Sequence, residues 1–161
     1  MNIEINHKYW LRIAKDIAVA STCRAEVGCV LIYKKPIVGH GYVGSIHGDY
    51  HCNNIETRVD GYRSFVDRTN FHVLIPAPHR GKKKDTCIRT IHAEMNAILK
   101  CSVRGNCHDG WITCYTTHQP CLDCTKHLLQ IGVRKIYYIE PYEDKRRDLL
   151  ISELARETFS N

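Results

Sequence analysis

The segments IHAEMNAIL at 91–99 and PCLDC at 120–124 decide how this sequence is interpreted. Each combines side chains that bind metals or carry protons with the apolar spacing that is typical of a helix. The spacing predicts one helix over 92–102 and another over 121–130, and Pro120 separates the second helix from a preceding strand. Both chemical segments therefore lie at the beginning of a predicted helix.

Predicted helices and strands alternate on both sides of these segments. In chain order they are a helix at 7–20 with Asn6 as its N-cap, strands at 27–33 and 37–42 joined by a turn at 34–36, the helix at 92–102, a strand at 111–115, the helix at 121–130 ended by Gly132, a strand at 135–139 and a helix at 145–158. Alternation of helices and strands late in the chain favours parallel pairing, with helices on both faces of an α/β sheet.

The sequence gives more detailed predictions for the first helix, the two early strands and the last helix. The two early strands are predicted to form a hairpin of two central strands, because their apolar runs are nearly continuous. The two terminal helices are predicted to be amphipathic, and the first is expected to turn its apolar face toward the sheet. These apolar faces consist of Trp10, Ile13, Ile17 and Ala20 in the first helix, and of Leu149, Leu150, Leu154 and Ala155 in the last.

The stretch from Val43 to Asp85 has no sustained period and is rich in Gly, Asp, Asn, Pro and His. Connections of that length are uncommon unless they are functional, so we expect an irregular insert at about 43–89 with local order near 71–75. A chain of 161 residues is the size of one ordinary domain. We therefore expect a single domain that spans residues 1–161.

Composition narrows the class of protein. No apolar run approaches the roughly 20 residues of a membrane span, and the polar start at 1–8 does not resemble a secretory signal, so we expect a cytoplasmic protein, or one in the host cytoplasm if it is viral. Nine cysteines are then better explained by metal ligation than by disulfides. The net charge of +6 suits anionic ligands such as nucleotides, or reflects a solvated basic surface that includes Lys82–Lys84.

A metal site is predicted from three side chains. Cys121 and Cys124 are three residues apart, so both lie on one face of a first helical turn. The positive end of the helix dipole favours their thiolate forms. Two thiolates and the His92 imidazole neutralise Zn²⁺ and leave one tetrahedral position for water, whose pKa the metal lowers to about 7.

Glu94 is the predicted proton carrier of this site. At the start of the helix its carboxylate lies close enough to take a proton from water at the metal and to deliver it to a substrate ring. The alternative is a structural zinc site or a set of buried cysteines. A structural site requires a fourth strong ligand and has no use for Glu94, so we favour the catalytic interpretation.

These motifs resemble the cytidine/deoxycytidylate deaminase superfamily, and more narrowly its deoxycytidylate (dCMP) deaminases, whose H-x-E and P-C-x-x-C segments they match. The matching segments are 21–24 with Val27 and Gly28, 41–45, 87–98, 120–126, 136–138 and Tyr142. The resemblance implies a three-layer α/β/α fold with a mixed sheet of about five strands. It also implies hydrolysis of dCMP to dUMP and ammonia, a homo-oligomer that is often a hexamer, and in some members activation by dCTP and inhibition by dTTP.

The substrate contacts are predicted less directly. The family loop carries Asn where this chain has Val43, and Val can neither donate nor accept a hydrogen bond. Asn96 or a backbone group is an alternative source of that contact. Tyr142 is either a stacking surface for the pyrimidine or an exposed tyrosine, and Arg24 and Arg89 are either phosphate contacts or surface charges. The full set of candidates is Tyr42, Val43, Ala93, Asn96, Tyr142, Arg24 and Arg89.

The remaining cysteines fall into two groups. Cys29, Cys101 and Cys114 are predicted to be core residues, because free cysteine packs as a small hydrophobe. A second, structural zinc is predicted for the insert, with surface histidines and free thiols as the alternative. Its candidate ligands are Cys23, His51, Cys52, His79 and Cys87.

Two other functions remain open at this point. A deaminase that acts on a base in tRNA or in single-stranded nucleic acid requires stacking surfaces along a basic groove, and no interleaving of basic and aromatic residues is present. A catalytically silent, nucleotide-sensing subunit is compatible with Val43, but the intact Glu94 argues against it.

Overall fold

The computed structural model describes residues 6–21, 23, 25–47, 58–59, 62–66, 72–76, 90–103 and 111–159. Its elements, in chain order, are α1 (His7–Ala18), β1 (Gly28–Tyr33), β2 (Ile37–Tyr42), β3 (Gly44–Ser45), β4 (Arg58–Val59), β5 (Tyr62–Val66), β6 (His72–Pro76), β7 (Thr90–Ile91), α2 (Ala93–Leu99), β8 (Ile112–His118), α3 (Leu122–Gln130), β9 (Val133–Glu140) and α4 (Lys145–Phe159). Within these ranges no helix has both the length and the apolar character that a bilayer span requires.

The main sheet has the strand order β2-β1-β8-β9. The β1–β2 hairpin and the β1–β8 pair are antiparallel, whereas β8 and β9 are parallel and are connected through α3. The sheet is therefore mixed, and the predicted α/β class and late parallel pairing are confirmed. The expectation of two central strands is wrong for β2, since among the described strands it lies at the edge of this sheet.

The helices cover both faces of the sheet. On one face, α2 and α3 enclose a core of buried apolar residues that includes Cys29, Cys101 and Cys114, as predicted. On the other face, α1 packs Ala14 and its neighbours Trp10, Ile13 and Ile17 against Val30, Ile32 and Tyr115. Asn6 caps α1 by accepting a hydrogen bond from the Tyr9 amide at 3.2 Å, also as predicted. The expectation for Ala20 is wrong, because α1 ends at Ala18 and Ala20 is exposed.

The predicted insert contains more regular structure than expected. β4, β5 and β6 form a separate antiparallel sheet, and β3 pairs with β7 next to the site described below. The local order predicted near 71–75 corresponds to β6. The other strands escaped the sequence pattern because two to five residues are too few to establish a period of two, and because each strand depends on hydrogen bonds to a partner that lies elsewhere in the chain.

Gly28 allows α1 to lie directly on β1. A Cβ at this position would overlap the Ala14 carbonyl oxygen and come within 2.7 Å of the Ala18 amide nitrogen. Overpacking a core typically costs about 1–3 kcal/mol, and backbone atoms move less readily than side chains. At the upper end of that range, we expect Gly28→Ala to lower the thermal unfolding midpoint by roughly 6–12 °C, measured by circular dichroism.

Gly44→Ala is the matched control for this prediction. A Cβ at Gly44 would meet the Tyr42 ring at 3.5 Å, which is an ordinary contact. We expect the midpoint of this variant to stay within about 2 °C of the parent value. Equal midpoints for the two variants would contradict the close contact between α1 and β1.

Candidate active site

The N-termini of α2 and α3 meet on one face of the main sheet. His92 is the N-cap of α2 and Cys121 is the N-cap of α3, and neither side chain makes a capping hydrogen bond. Both side chains are therefore available for another partner. Helix α2 can lie close to β2 because Gly39 and Gly41 have no side chains, and a Cβ on either would come within 2.6 Å of a carbonyl oxygen of α2.

Three ligand atoms converge at this junction. Nδ1 of His92 and the Sγ atoms of Cys121 and Cys124 all lie within 4.8 Å of one another. The His92 Nδ1 atom is 3.4 Å from the Cys124 sulfur and 3.7 Å from the Cys121 sulfur. Zn–S bonds of about 2.3 Å and Zn–N bonds of about 2.0 Å at a tetrahedral angle separate sulfur from nitrogen by about 3.5 Å. The donor types and their spacing therefore fit zinc.

The number of ligands decides which kind of zinc site this is. Among the described residues, no further Cys, His, Asp or Glu joins the three ligand atoms. Three protein ligands with one remaining position are typical of a catalytic zinc site, whereas a structural site uses four.

The ionisable groups at this junction shift one another's pKa values. Hydrogen bonds with Cys124 and His92 lower the pKa of Cys121 to about 4. The hydrogen bond with Cys121 and burial raise the pKa of Cys124, and a hydrogen bond with Cys121 raises that of His92. The lowered pKa of Cys121 favours its thiolate form, and the N-terminus of α3 favours the same negative charge.

Glu94 lies in the first turn of α2 and is only 4% exposed. Burial raises its pKa, while a hydrogen bond with its own backbone amide and the attraction of His92 oppose the shift. His92, Cys121 and Cys124 all contribute to the pKa of Glu94, so the carboxyl lies beside the ligand cluster. A carboxyl with a raised pKa exchanges protons more readily near neutral pH than an ordinary glutamate does.

The loop after β2 borders this cluster. The Asn96 side-chain amide donates to the Tyr42 carbonyl oxygen at 2.9 Å, so α2 fixes the end of β2. Val43 is 7% exposed, its amide donates to the Val27 carbonyl oxygen, and its own carbonyl oxygen accepts from Ser21 Oγ at 2.7 Å. Ala93 is fully buried next to His92. The structure thus brings Tyr42, Val43, Ala93 and Asn96 together around the start of α2.

Other predicted residues are either farther along the chain or outside the described ranges. Tyr142 is 49% exposed in the segment between β9 and α4, and Cys23 is half-buried between α1 and β1. The remaining candidates lie outside the described residues; they are Arg24, Arg89, His51, Cys52, His79 and Cys87. The second zinc and the phosphate contacts therefore stay predictions.

Sequence reasoning missed two groups that contact the start of α3. The Asp144 carboxylate accepts a hydrogen bond from the Leu122 amide at 2.9 Å, and the Arg147 guanidinium donates to the Pro120 carbonyl oxygen at 2.8 Å. The position of Asp144 just before a predicted helix was a capping signal for α4. Nothing in the sequence pattern indicated its contact with α3.

Comparisons with known proteins agree with this site. The family model described as "Cytidine and deoxycytidylate deaminase zinc-binding region" matches residues 4–140. ComE operon protein 2 of Bacillus subtilis is 36% identical over 138 residues, which cover 85% of this chain and 60% of that protein. Deoxycytidylate deaminase of Enterobacteria phage T2 is 30% identical over 154 residues, covering 84% of this chain and 80% of that protein.

A solved structure supports the fold. The dCMP deaminase from the cyanophage S-TIM5, crystallised in complex with dCMP and dUMP, aligns with a TM-score of 0.63 and 24% sequence identity. The alignment covers 96% of this chain and 94% of that chain. At this identity the likeness establishes the shared architecture, and it confirms the three-layer arrangement predicted from the sequence.

Proposed function

Since this chain belongs to the cytidine and deoxycytidylate deaminase family, we propose that it hydrolyses dCMP to dUMP and ammonia. The observation that carries the proposal is the buried Glu94 carboxyl beside His92, Cys121 and Cys124 at two adjoining helix N-termini. The phage T2 relative, a deoxycytidylate deaminase of which this chain covers 80%, supports dCMP as the substrate.

We propose that His92, Cys121 and Cys124 hold the zinc ion. Bound there, zinc would supply the Lewis acidity that makes water nucleophilic at neutral pH. The imidazole nitrogen and the two sulfurs lie within 4.8 Å of one another, because all three residues lie at or near a helix N-terminus.

Glu94 transfers the protons in this proposal. Its carboxylate accepts a proton from the attacking water and delivers a proton to N3 of cytosine as the new C4–O bond forms. Glu94 then takes the remaining proton from the new C4 hydroxyl group and passes it to N4. The C4–N4 bond breaks as the C4=O bond forms and ammonia leaves, so one water is consumed for each dUMP formed. Burial raises the pKa of Glu94, which matches its role as both acceptor and donor.

The residues around the start of α2 form the proposed substrate wall. On the side of β2, this wall consists of Tyr42, Val43, Ala93 and Asn96. The proposed stacking surface for the pyrimidine is Tyr142, in the segment after β9. Arg24 and Arg89 remain the proposed phosphate contacts, because a guanidinium matches phosphate geometry.

A parallel assay of four substrates tests the proposed function. Ammonia release and the absorbance change are measured with dCMP, dCTP, CMP and deoxycytidine, each with and without added dCTP or dTTP as effector. We expect dCMP to give the highest kcat/KM of the four, because a site fitted to one phosphate and to deoxyribose binds the transition state of dCMP more tightly than that of the triphosphate, the ribonucleotide or the nucleoside. No turnover of any of the four would overturn the proposal.

Homo-oligomerisation, with a hexamer as the expected form, is proposed as well. Exposed apolar side chains on the described surface support it, since Leu149 is 62% exposed, Ile151 44% and Tyr138 41%. Burial of such side chains between subunits would remove apolar surface from water. We also propose that dCTP and dTTP control the activity allosterically, that the protein is cytoplasmic and that it binds a second zinc ion.

A further inference from the structure

The first turn of α4 contains a buried charge that the proposed reaction does not use. Arg147 is only 2% exposed, although it carries a permanent positive charge. A charge that is buried without partners is strongly destabilising, so the contacts of this guanidinium determine what it does.

The guanidinium of Arg147 joins three separate groups. Its Nη1 donates to the Pro120 carbonyl oxygen at 2.8 Å, and its Nη2 donates to the Tyr142 carbonyl oxygen at 2.6 Å. Its Nε and Nη2 donate to Asp148 Oδ1 at 3.0 and 2.9 Å, and this ion pair balances the charge. Two of the three partners are backbone atoms next to or within the proposed site.

Asp144 caps two helices at once. Its Oδ1 accepts from the amides of Arg146 and Arg147 at 3.1 and 3.2 Å, which is the usual capping contact for α4. Its Oδ2 accepts from the Leu122 amide at 2.9 Å. Leu122 is the first residue of α3, and the Cys121 side chain at the N-cap makes no capping hydrogen bond. Asp144 therefore supplies the cap that the metal-binding thiol cannot provide.

Together these contacts fix the backbone on both sides of Cys121. Arg147 holds the carbonyl group of the preceding residue, and Asp144 holds the amide of the following one. The Tyr142 backbone is held in the same way, because its amide donates to Gln119 Oε1 at 3.2 Å and its carbonyl oxygen accepts from Arg147.

We propose that Asp144 and Arg147 are positioning residues. They set the direction of the Cys121 sulfur toward the metal, and they hold Tyr142 at a fixed distance from Cys121. The inference rests on the proposed function for the meaning of Tyr142, but the part that concerns Cys121 and metal binding can be tested without turnover. Groups that orient metal ligands typically change metal affinity or activity by 10–100-fold when they are removed.

Arg147→Lys tests the proposal, with Arg146→Lys as its matched control. Lysine keeps the charge but cannot reach the Pro120 and Tyr142 carbonyl oxygens and Asp148 together, because it lacks the planar fork. Arg146 is the adjacent residue on α4, and its side chain is 79% exposed. Its Nε lies 3.9 Å from Asp144 Oδ1, and lysine keeps the charge of this long ion pair, so the same substitution there changes little.

Three readouts separate positioning from plain stabilisation. We expect Arg147→Lys to release zinc to a chelator at least about tenfold faster than the parent, to shift the visible spectrum of the cobalt(II)-substituted protein, and to lower kcat for dCMP about tenfold or more. Arg146→Lys should match the parent in all three. Each readout is taken at a temperature where circular dichroism shows the variant to be fully folded.

Asp144→Asn provides a second, independent variant. The amide keeps one acceptor oxygen and loses the other, so either Leu122 or the first turn of α4 loses its cap. We expect faster zinc release here too. If both variants are folded and keep the parent's zinc release rate and cobalt spectrum, the inference is wrong. If the parent lacks deaminase activity but zinc release still accelerates, the proposed function fails while the positioning of Cys121 stands.

Discussion

Glu94→Gln is expected to lower the turnover of dCMP by about 10³-fold while zinc stays bound. Glutamine has nearly the same shape as glutamate but cannot accept a proton at neutral pH, so both proton transfers lose their carrier. The three ligand atoms come from His92, Cys121 and Cys124 and are unchanged by this substitution. The measurement is kcat for dCMP together with zinc content by atomic absorption on the same preparation.

Asp123→Asn is the matched control for this prediction. It makes the same chemical change within the first turn of α3, but the Asp123 side chain is 76% exposed and pairs with Lys126 at 3.4 Å. We expect its kcat to stay within about twofold of the parent, because an exposed ion pair contributes little. A Glu94→Gln variant that keeps its zinc and more than about a tenth of the parent turnover would exclude Glu94 as the proton carrier.

Cys124→Ala is expected to lose one zinc ion per chain relative to the parent and to show no measurable deamination. The substitution removes one of three protein ligands and one of the two sulfurs on which the proposed site depends. Loss of the ligand also leaves Glu94 with no activated water to deprotonate. Zinc content and ammonia release from dCMP are measured after gel filtration in metal-free buffer.

The control for Cys124→Ala is the equivalent change in the apolar core. Cys114 is fully buried on β8, and its sulfur lies 3.5 Å from that of Cys29 rather than in the ligand cluster. We expect Cys114→Ala to keep its zinc and most of its turnover, with a loss of stability of about 1–2 kcal/mol from the small cavity. If both variants lost zinc equally, the loss would reflect unfolding instead of ligand removal.

Much of the fold follows from local signals in the sequence. The Asn6 cap, the apolar run of β1 and the glycine that ends α3 are each encoded within a few residues of the element they define. Gly132 adopts a φ of 107°, which is a conformation that favours glycine and stops the helix. His92 and Cys121 are 29 residues apart. Their convergence was predicted from the H-x-E and P-C-x-x-C pattern and not from a local signal.

Contacts between distant segments could not be predicted in this way. β5 and β6 are stabilised by each other, and their sequences are too short to show a strand period. Asp144 and Leu122 are 22 residues apart, as are Ser21 and Val43, and no local pattern links such pairs. The same limit explains β2, whose position at the sheet edge depends on the strand order and not on its own composition.

Removal and return of the metal tests the central claim most directly. The parent protein is stripped of metal with a chelator, and ammonia release from dCMP is followed before and after zinc is added back. We predict that the stripped protein has under about 1% of the original rate and that zinc restores it, whereas magnesium, which prefers oxygen ligands, does not. A stripped, folded protein that still deaminates dCMP at the parent rate would contradict the account.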